Sequence, residues 1–163
     1  MARAGESFGP NKQRPQTPAE HRRASWLIAG FAGSWIGLLV FYPIVMVFAL
    51  GDGDLAAGWA AATEGGMFLI ILPGIVHLIL GPAPVWAVMA FWLGRQGDRD
   101  PGAAPATAVN FAVAVLALVL AQVLVVGASN LARVATSPQM LANIGVLAVM
   151  FITYRARLPR AQS

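Results

Sequence analysis

The chain has 163 residues, of which 58% are hydrophobic and 11% charged, against roughly 25% charged in an average soluble domain. All 18 charges lie outside four windows, 26–50, 67–93, 107–131 and 138–154, which together hold 94 residues. That segregation excludes a water-soluble globule, and the absence of cysteine excludes a disulfide scaffold, a thiolate metal site and a thiol redox couple.

Residues 1–25 form a basic arm. Its first part contains Gly5, Gly9, Pro10, Gln13, Pro15, Gln16 and Pro18 with little apolar content, too little to offset chain entropy by burial. Disorder is expected over 1–20 until a partner orders it. The window 26–50 follows. At a rise of about 1.5 Å per residue, such a helix crosses a hydrocarbon core of about 30 Å with length to spare for tilt. Its apolar run exceeds an ordinary signal-peptide core, so it reads as a retained anchor. Gly30, Ser34 and Gly37 share one face of this helix, and Gly33 and Gly37 form a GxxxG pair, an association surface within the bundle or toward another subunit.

The first loop, 51–66, opens on Gly51-Asp52-Gly53-Asp54, a calcium-like start. It lacks the remaining acidic ligands at loop spacing and reads as a turn. Leu55–Thr63 reads as a short surface helix with Trp59 in the headgroups. In the second window, 67–93, Pro73, Pro82 and Pro84 lack amide protons and free the carbonyls of Leu69, Leu78 and Leu80, while Gly74 and Gly81 loosen the same turns. A helix kinked or broken at Gly81–Pro84 is expected. Broken helices of this kind line transporter sites, and prolines also serve packing alone. A re-entrant hairpin at the same place is disfavoured, because it would invert the later loops and spoil the charge asymmetry described below.

The third window, 107–131, is apolar on every face over Val113–Ala121, which a lipid-facing helix permits and an alternating strand does not. Ala114, Ala117, Ala121 and Ala128 make a narrow stripe on it. The fourth window, 138–154, is just long enough to cross and carries Ala142, Gly145 and Ala148 on one face. Residues 155–163 form a basic tail. The fold expected is all-α, polytopic, with four transmembrane helices.

Ten of the eleven Lys and Arg residues fall in the arm, the second loop (Arg95 and Arg99) and the tail; Arg133 stands alone on the other side, and the first loop carries only acids. Cytoplasmic flanks accumulate basic residues, so both termini are expected in the cytoplasm of a bacterium with the protein in its inner membrane. The pI of 10.7 comes from charges beside span ends without an interleaved aromatic platform, so anionic lipid headgroups, not nucleic acid, are the expected partner. Trp26, Trp86, Trp92 and Tyr154 lie toward span ends, where aromatic rings favour the interface; Trp35 does not.

His77, Gln122 and Asn143 each lie about 4.5 Å to the external side of their span's midpoint, and Tyr42 about 6 Å. One polar side chain from each helix thus shares a layer, and a hydrogen-bonded cluster of Tyr42, His77, Gln122 and Asn143 is expected. His77 invites further readings. No charged residue lies in any span to exchange a proton with it. Axial ligation of a haem or chlorophyll-type pigment would use the room beside Gly74 and Gly81. The other histidine, His21, is in the arm, so a bis-histidine haem within one chain is not expected. Ser34 and Ser129 have no basic partner at suitable spacing, and neither a metal-ligand set nor a phosphate loop is present. No enzyme is expected.

Gly81-Pro82-Ala83-Pro84-Val85-Trp86, followed by a polar loop and Ala108-Val109-Asn110-Phe111, resembles a family of uncharacterised small bacterial membrane proteins distantly similar to a chloroplast import-translocon component. The resemblance spans about 30 positions. This chain departs from it by continuing its apolar helix through Ala87–Leu93 and by a loop rich in Gly, Ala and Pro. The resemblance implies a small polytopic membrane protein without established catalysis. The leading expectation is a non-catalytic integral subunit among other membrane protein subunits. A small oligomeric transporter or channel using the broken second helix, and a pigment- or haem-binding subunit through His77, are the alternatives.

Overall fold

The computed structural model describes residues 17–66, 68–99 and 107–158; the disorder expected over residues 1–16 lies outside them. The described residues are 91% helical and hold no strand. Four helices are long and apolar enough to cross a membrane: Ala19–Leu50, Phe68–Leu93, Ala108–Val125 and Pro138–Arg157.

Helix α1 (Pro18–Ile36) begins eight residues before the apolar window. The cause is a capping box. The Thr17 hydroxyl accepts from the Glu20 amide at 3.2 Å, the Glu20 carboxylate accepts from the Thr17 amide at 2.7 Å, and Pro18 supplies a preset φ at the first helical position. The part of the arm from 18 to 25 is therefore helical. A π-helical turn, Gly37–Phe41, leads into α2 (Tyr42–Leu50). Pro43 donates no amide proton and its ring crowds the carbonyl of Leu39, which a widened turn relieves.

Helix α3 (Leu55–Gly65) lies against the end of α2. The Asp54 carboxylate caps it, accepting from the amides of Ala56 and Ala57 at 2.8 and 3.2 Å. The acidic start of this loop is thus an N-cap behind a turn in which Asp52 and Gly53 have positive φ. Gly58 and Ala62 are buried, and a Cβ at Gly58 would collide with the Val47 carbonyl oxygen, so glycine sets the closeness of α2 and α3. Trp59 faces outward, 57% exposed.

The second span is α4 (Phe68–Leu80) and α5 (Pro82–Arg99), joined with a bend of 29° at Gly81. The expected kink is present, and the chain continues in the same general direction through it. Helix α6 (Thr107–Val126) ends before its apolar window does, because Gly127 takes φ +89° and turns the chain into a 3-10 turn and the short α7 (Leu131–Ala135). Helix α8 (Pro138–Arg157) starts on Ser137, whose hydroxyl accepts from the Met140 amide at 3.2 Å, and ends with Arg155 and Arg157 beside its negative dipole end.

Helices α1 and α8 pack most extensively. Ser25, Ala29 and Gly33 on α1 and Gly37 at the start of the π turn recur every four residues and are all buried. A Cβ at Gly33 would meet the Met150 side chain and the Val146 carbonyl, and one at Gly37 would lie 2.8 Å from Val146 Cγ2. Gly30 faces the Trp86 indole, the Ser34 hydroxyl donates to the Gly30 carbonyl at 2.8 Å, and Gly145 of α8 faces Phe41. Ala114 and Ala142 are buried as well. These small-residue surfaces are occupied within the chain, leaving large side chains such as Leu27, Phe31, Phe68, Phe91 and Leu124 outermost. Lipid is as apolar as leucine, so such exposure costs nothing in a bilayer.

Ser25 is 1% exposed and its hydroxyl has no partner among the described residues. Its value at the seam is small volume. Ser25→Ala is therefore expected to leave stability unchanged or raise it by up to about 1 kcal/mol, by removing an unsatisfied donor. Unfolding in mixed micelles measures this, and a loss of similar size would mean that the hydroxyl is engaged.

Candidate functional site

The polar layer assembles around the bend. Tyr42, at the start of α2, is 1% exposed, and its hydroxyl donates to Asn143 Oδ1 of α8 at 2.6 Å. The His77 ring of α4 lies over Tyr42 with centroids 6.0 Å apart and planes 22° from parallel. Two glycines bring these helices together: a Cβ at Gly74 would lie 3.1 Å from Tyr42 Cβ, and one at Gly81 would lie 3.0 Å from Asn143 Nδ2.

Gln122 joins differently from the expected side-chain cluster. Its amide nitrogen donates to the Leu80 carbonyl at 3.4 Å, the carbonyl that Pro84 leaves without its helical partner. The third span thus attaches to the second where the prolines disrupt its ladder. All four predicted residues gather near Gly81, with Tyr42 and Asn143 as the bonded pair, His77 stacked beside them and Gln122 repairing the backbone. Since 3.4 Å is long for a hydrogen bond, Gln122→Leu is expected to cost only about 0.6 kcal/mol. Unchanged micelle stability together with unchanged α4–α6 crosslinking would contradict the attachment.

The room that a macrocycle at His77 would use is filled. Tyr42 occupies the space beside Gly74 and Asn143 that beside Gly81. Among the described residues no three His, Asp or Glu side chains are grouped as metal ligands. His21 stands at the end of the bundle, where its Nε2 lies 2.9 Å from the Arg157 carbonyl and ties the start of α1 to the end of α8.

Two features were not anticipated from sequence. Asn110 is 2% exposed and accepts from Trp92 Nε1 at 3.3 Å, linking α5 to α6. Its polarity inside an apolar window was the available signal. Trp86 is a core residue, 5% exposed, facing the inside of the bundle. It stacks on Trp26 at 3.6 Å and meets Phe151 edge-on at 5.2 Å.

No family model, curated protein or solved structure matches this chain.

Proposed function

We propose that this integral membrane protein is a non-catalytic subunit, structural, accessory or assembly-related, of a larger bacterial membrane complex, with both termini in the cytoplasm. The observation that carries the reading is the use of the intramembrane polar groups. Tyr42 and Asn143 bond each other, and Gln122 bonds the Leu80 carbonyl. Charged residues are absent from all four apolar windows, so these neutral side chains are the principal intramembrane chemistry, and they are engaged in joining helices. The second span bends by only 29° between α4 and α5, which favours packing over transport. The positions of the arginines favour contact with anionic headgroups, and the resemblance around Gly81–Trp86 points to the same class of small polytopic protein.

Native mass spectrometry of the gently solubilised protein tests the proposal. Stable heteromeric partners are the expected result. A homo-oligomer stabilised by a transported solute would overturn the proposal in favour of a transporter or channel, and a co-purifying chromophore would overturn it in favour of a pigment- or haem-binding subunit.

A further inference from the structure

Arg22, Arg23, Trp26 and Leu27 share one face of α1. With Ala90 and Leu93 of α5 and Tyr154 of α8 they line an open groove of about 340 Å³ at the end of the bundle. Its aromatic floor is fixed: Trp26 lies flat on Trp86, and Tyr154 meets Trp26 edge-on at 5.2 Å and 81°. Its rim is basic. Glu20, on the first turn of α1, accepts from the Thr17 amide at 2.7 Å and also interacts with Arg23, which leaves the set of Glu20, Arg22 and Arg23 with a net positive charge. The contact of His21 with the Arg157 carbonyl brings the last turn of α8, with Arg155 and Arg157, to the same end. The groove therefore joins a cationic mouth to an apolar side at the depth where the charged stretch of α1 gives way to its apolar run. Guanidinium groups pair with phosphate oxygens through paired N–H donors, and aromatic rings favour the headgroup level.

We propose that this groove binds one anionic phospholipid, with its phosphodiester held by Arg22 and Arg23 and an acyl chain along Leu27, Ala90 and Leu93. The site deepens the proposed attraction of the arginines to anionic headgroups, and the experiment separates the two. General attraction survives when the groove is filled; a seated lipid does not.

The full chain is placed in phosphatidylcholine membranes, and electron paramagnetic resonance compares the motionally restricted fractions of spin-labelled phosphatidylglycerol and spin-labelled phosphatidylcholine. A preference for phosphatidylglycerol is expected, falling about fivefold for each arginine lost in Arg22→Gln/Arg23→Gln. Ala90→Phe, which fills the groove and keeps every charge, is expected to abolish the preference, whereas Arg155→Gln/Arg157→Gln keeps most of it. Circular dichroism confirms folding, and Ala90→Phe decides the matter if the arginine variant fails to fold. No preference in the unmodified protein would overturn the proposal. So would a preference that survives Ala90→Phe, leaving general attraction alone, or displacement of the labelled lipid by inorganic phosphate, which would make the groove a site for free anions.

Discussion

Trp86→Ala is expected to be the most destabilising single substitution in the bundle, costing about 3 kcal/mol, the lower end for removing a buried tryptophan. The indole stacks on Trp26 with planes 3° apart, and meets Phe151 and Tyr154 edge-on at 84° and 83°. Its Nε1 donates to the Trp26 carbonyl at 3.4 Å. One side chain thus ties α5 to both α1 and α8. Gly30 makes that approach possible, since a Cβ there would lie 2.8 Å from the indole nitrogen. In lipid the transfer term is small because the acyl chains are themselves apolar, so the loss falls mainly on packing and on the aromatic pairs, each worth about 0.5 to 1.5 kcal/mol. Trp86→Phe, which retains part of the edge-on geometry, should cost less than half as much. Unfolding in mixed micelles measures both variants. Equal losses for alanine and phenylalanine would mean that the indole donor, not ring packing, carries the effect.

Gly33→Leu is the second large effect, expected to cost about 1 to 3 kcal/mol by overpacking. A Cβ at Gly33 already meets Met150 Cγ, and the Val146 carbonyl lies 3.3 Å from it. Met150 can shift because it is flexible, but the backbone of α8 cannot move without carrying Leu147 and Phe151 with it. The leucine should therefore push α1 from α8. Cysteines introduced in pairs across the α1–α8 seam should crosslink readily in the parent and poorly in the variant. The chain has no native cysteine to interfere. Crosslinking unchanged by Gly33→Leu would show that α1 approaches α8 on some other face.

Much of this arrangement was legible in the residues, and its limits have physical causes. Charge-free windows locate spans because a bilayer penalises charge independently of tertiary contacts, and all four windows correspond to apolar helices. Their ends followed local chemistry instead. Thr17-Pro18-Ala19-Glu20 is a capping box readable in sequence, yet composition alone assigned those residues to the arm. Gly127 ended α6 inside an apolar window, which hydropathy does not register. Depth arithmetic brought Tyr42 and Asn143 together, because position along a span fixes height in the membrane to within a turn. It did not give the partner of Gln122: the proline rule named the Leu80 carbonyl as free, but which helix would face it depends on the rotation of α6. The small residues of α1 were legible as a contact face, while their partner was not. Ser25 and Ala29 extend that seam beyond the GxxxG pair toward Trp26, where the register of α8 decides what they touch. The stacking of Trp26 on Trp86 joins residues 60 apart in sequence, and no local pattern encodes such a pair.

If the buried polar residues hold the helices together instead of serving a ligand, Tyr42 and Asn143 must be energetically coupled. A double-mutant cycle on Tyr42→Phe and Asn143→Leu, followed by unfolding in mixed micelles, tests it most directly. Each substitution removes one side of the 2.6 Å bond between α2 and α8, and the cycle isolates the pair from effects that each change has alone. A favourable coupling of about 1 to 2 kcal/mol is expected, near the upper range for interhelical bonds in membranes. Additive losses, with no coupling between the two positions, would contradict it.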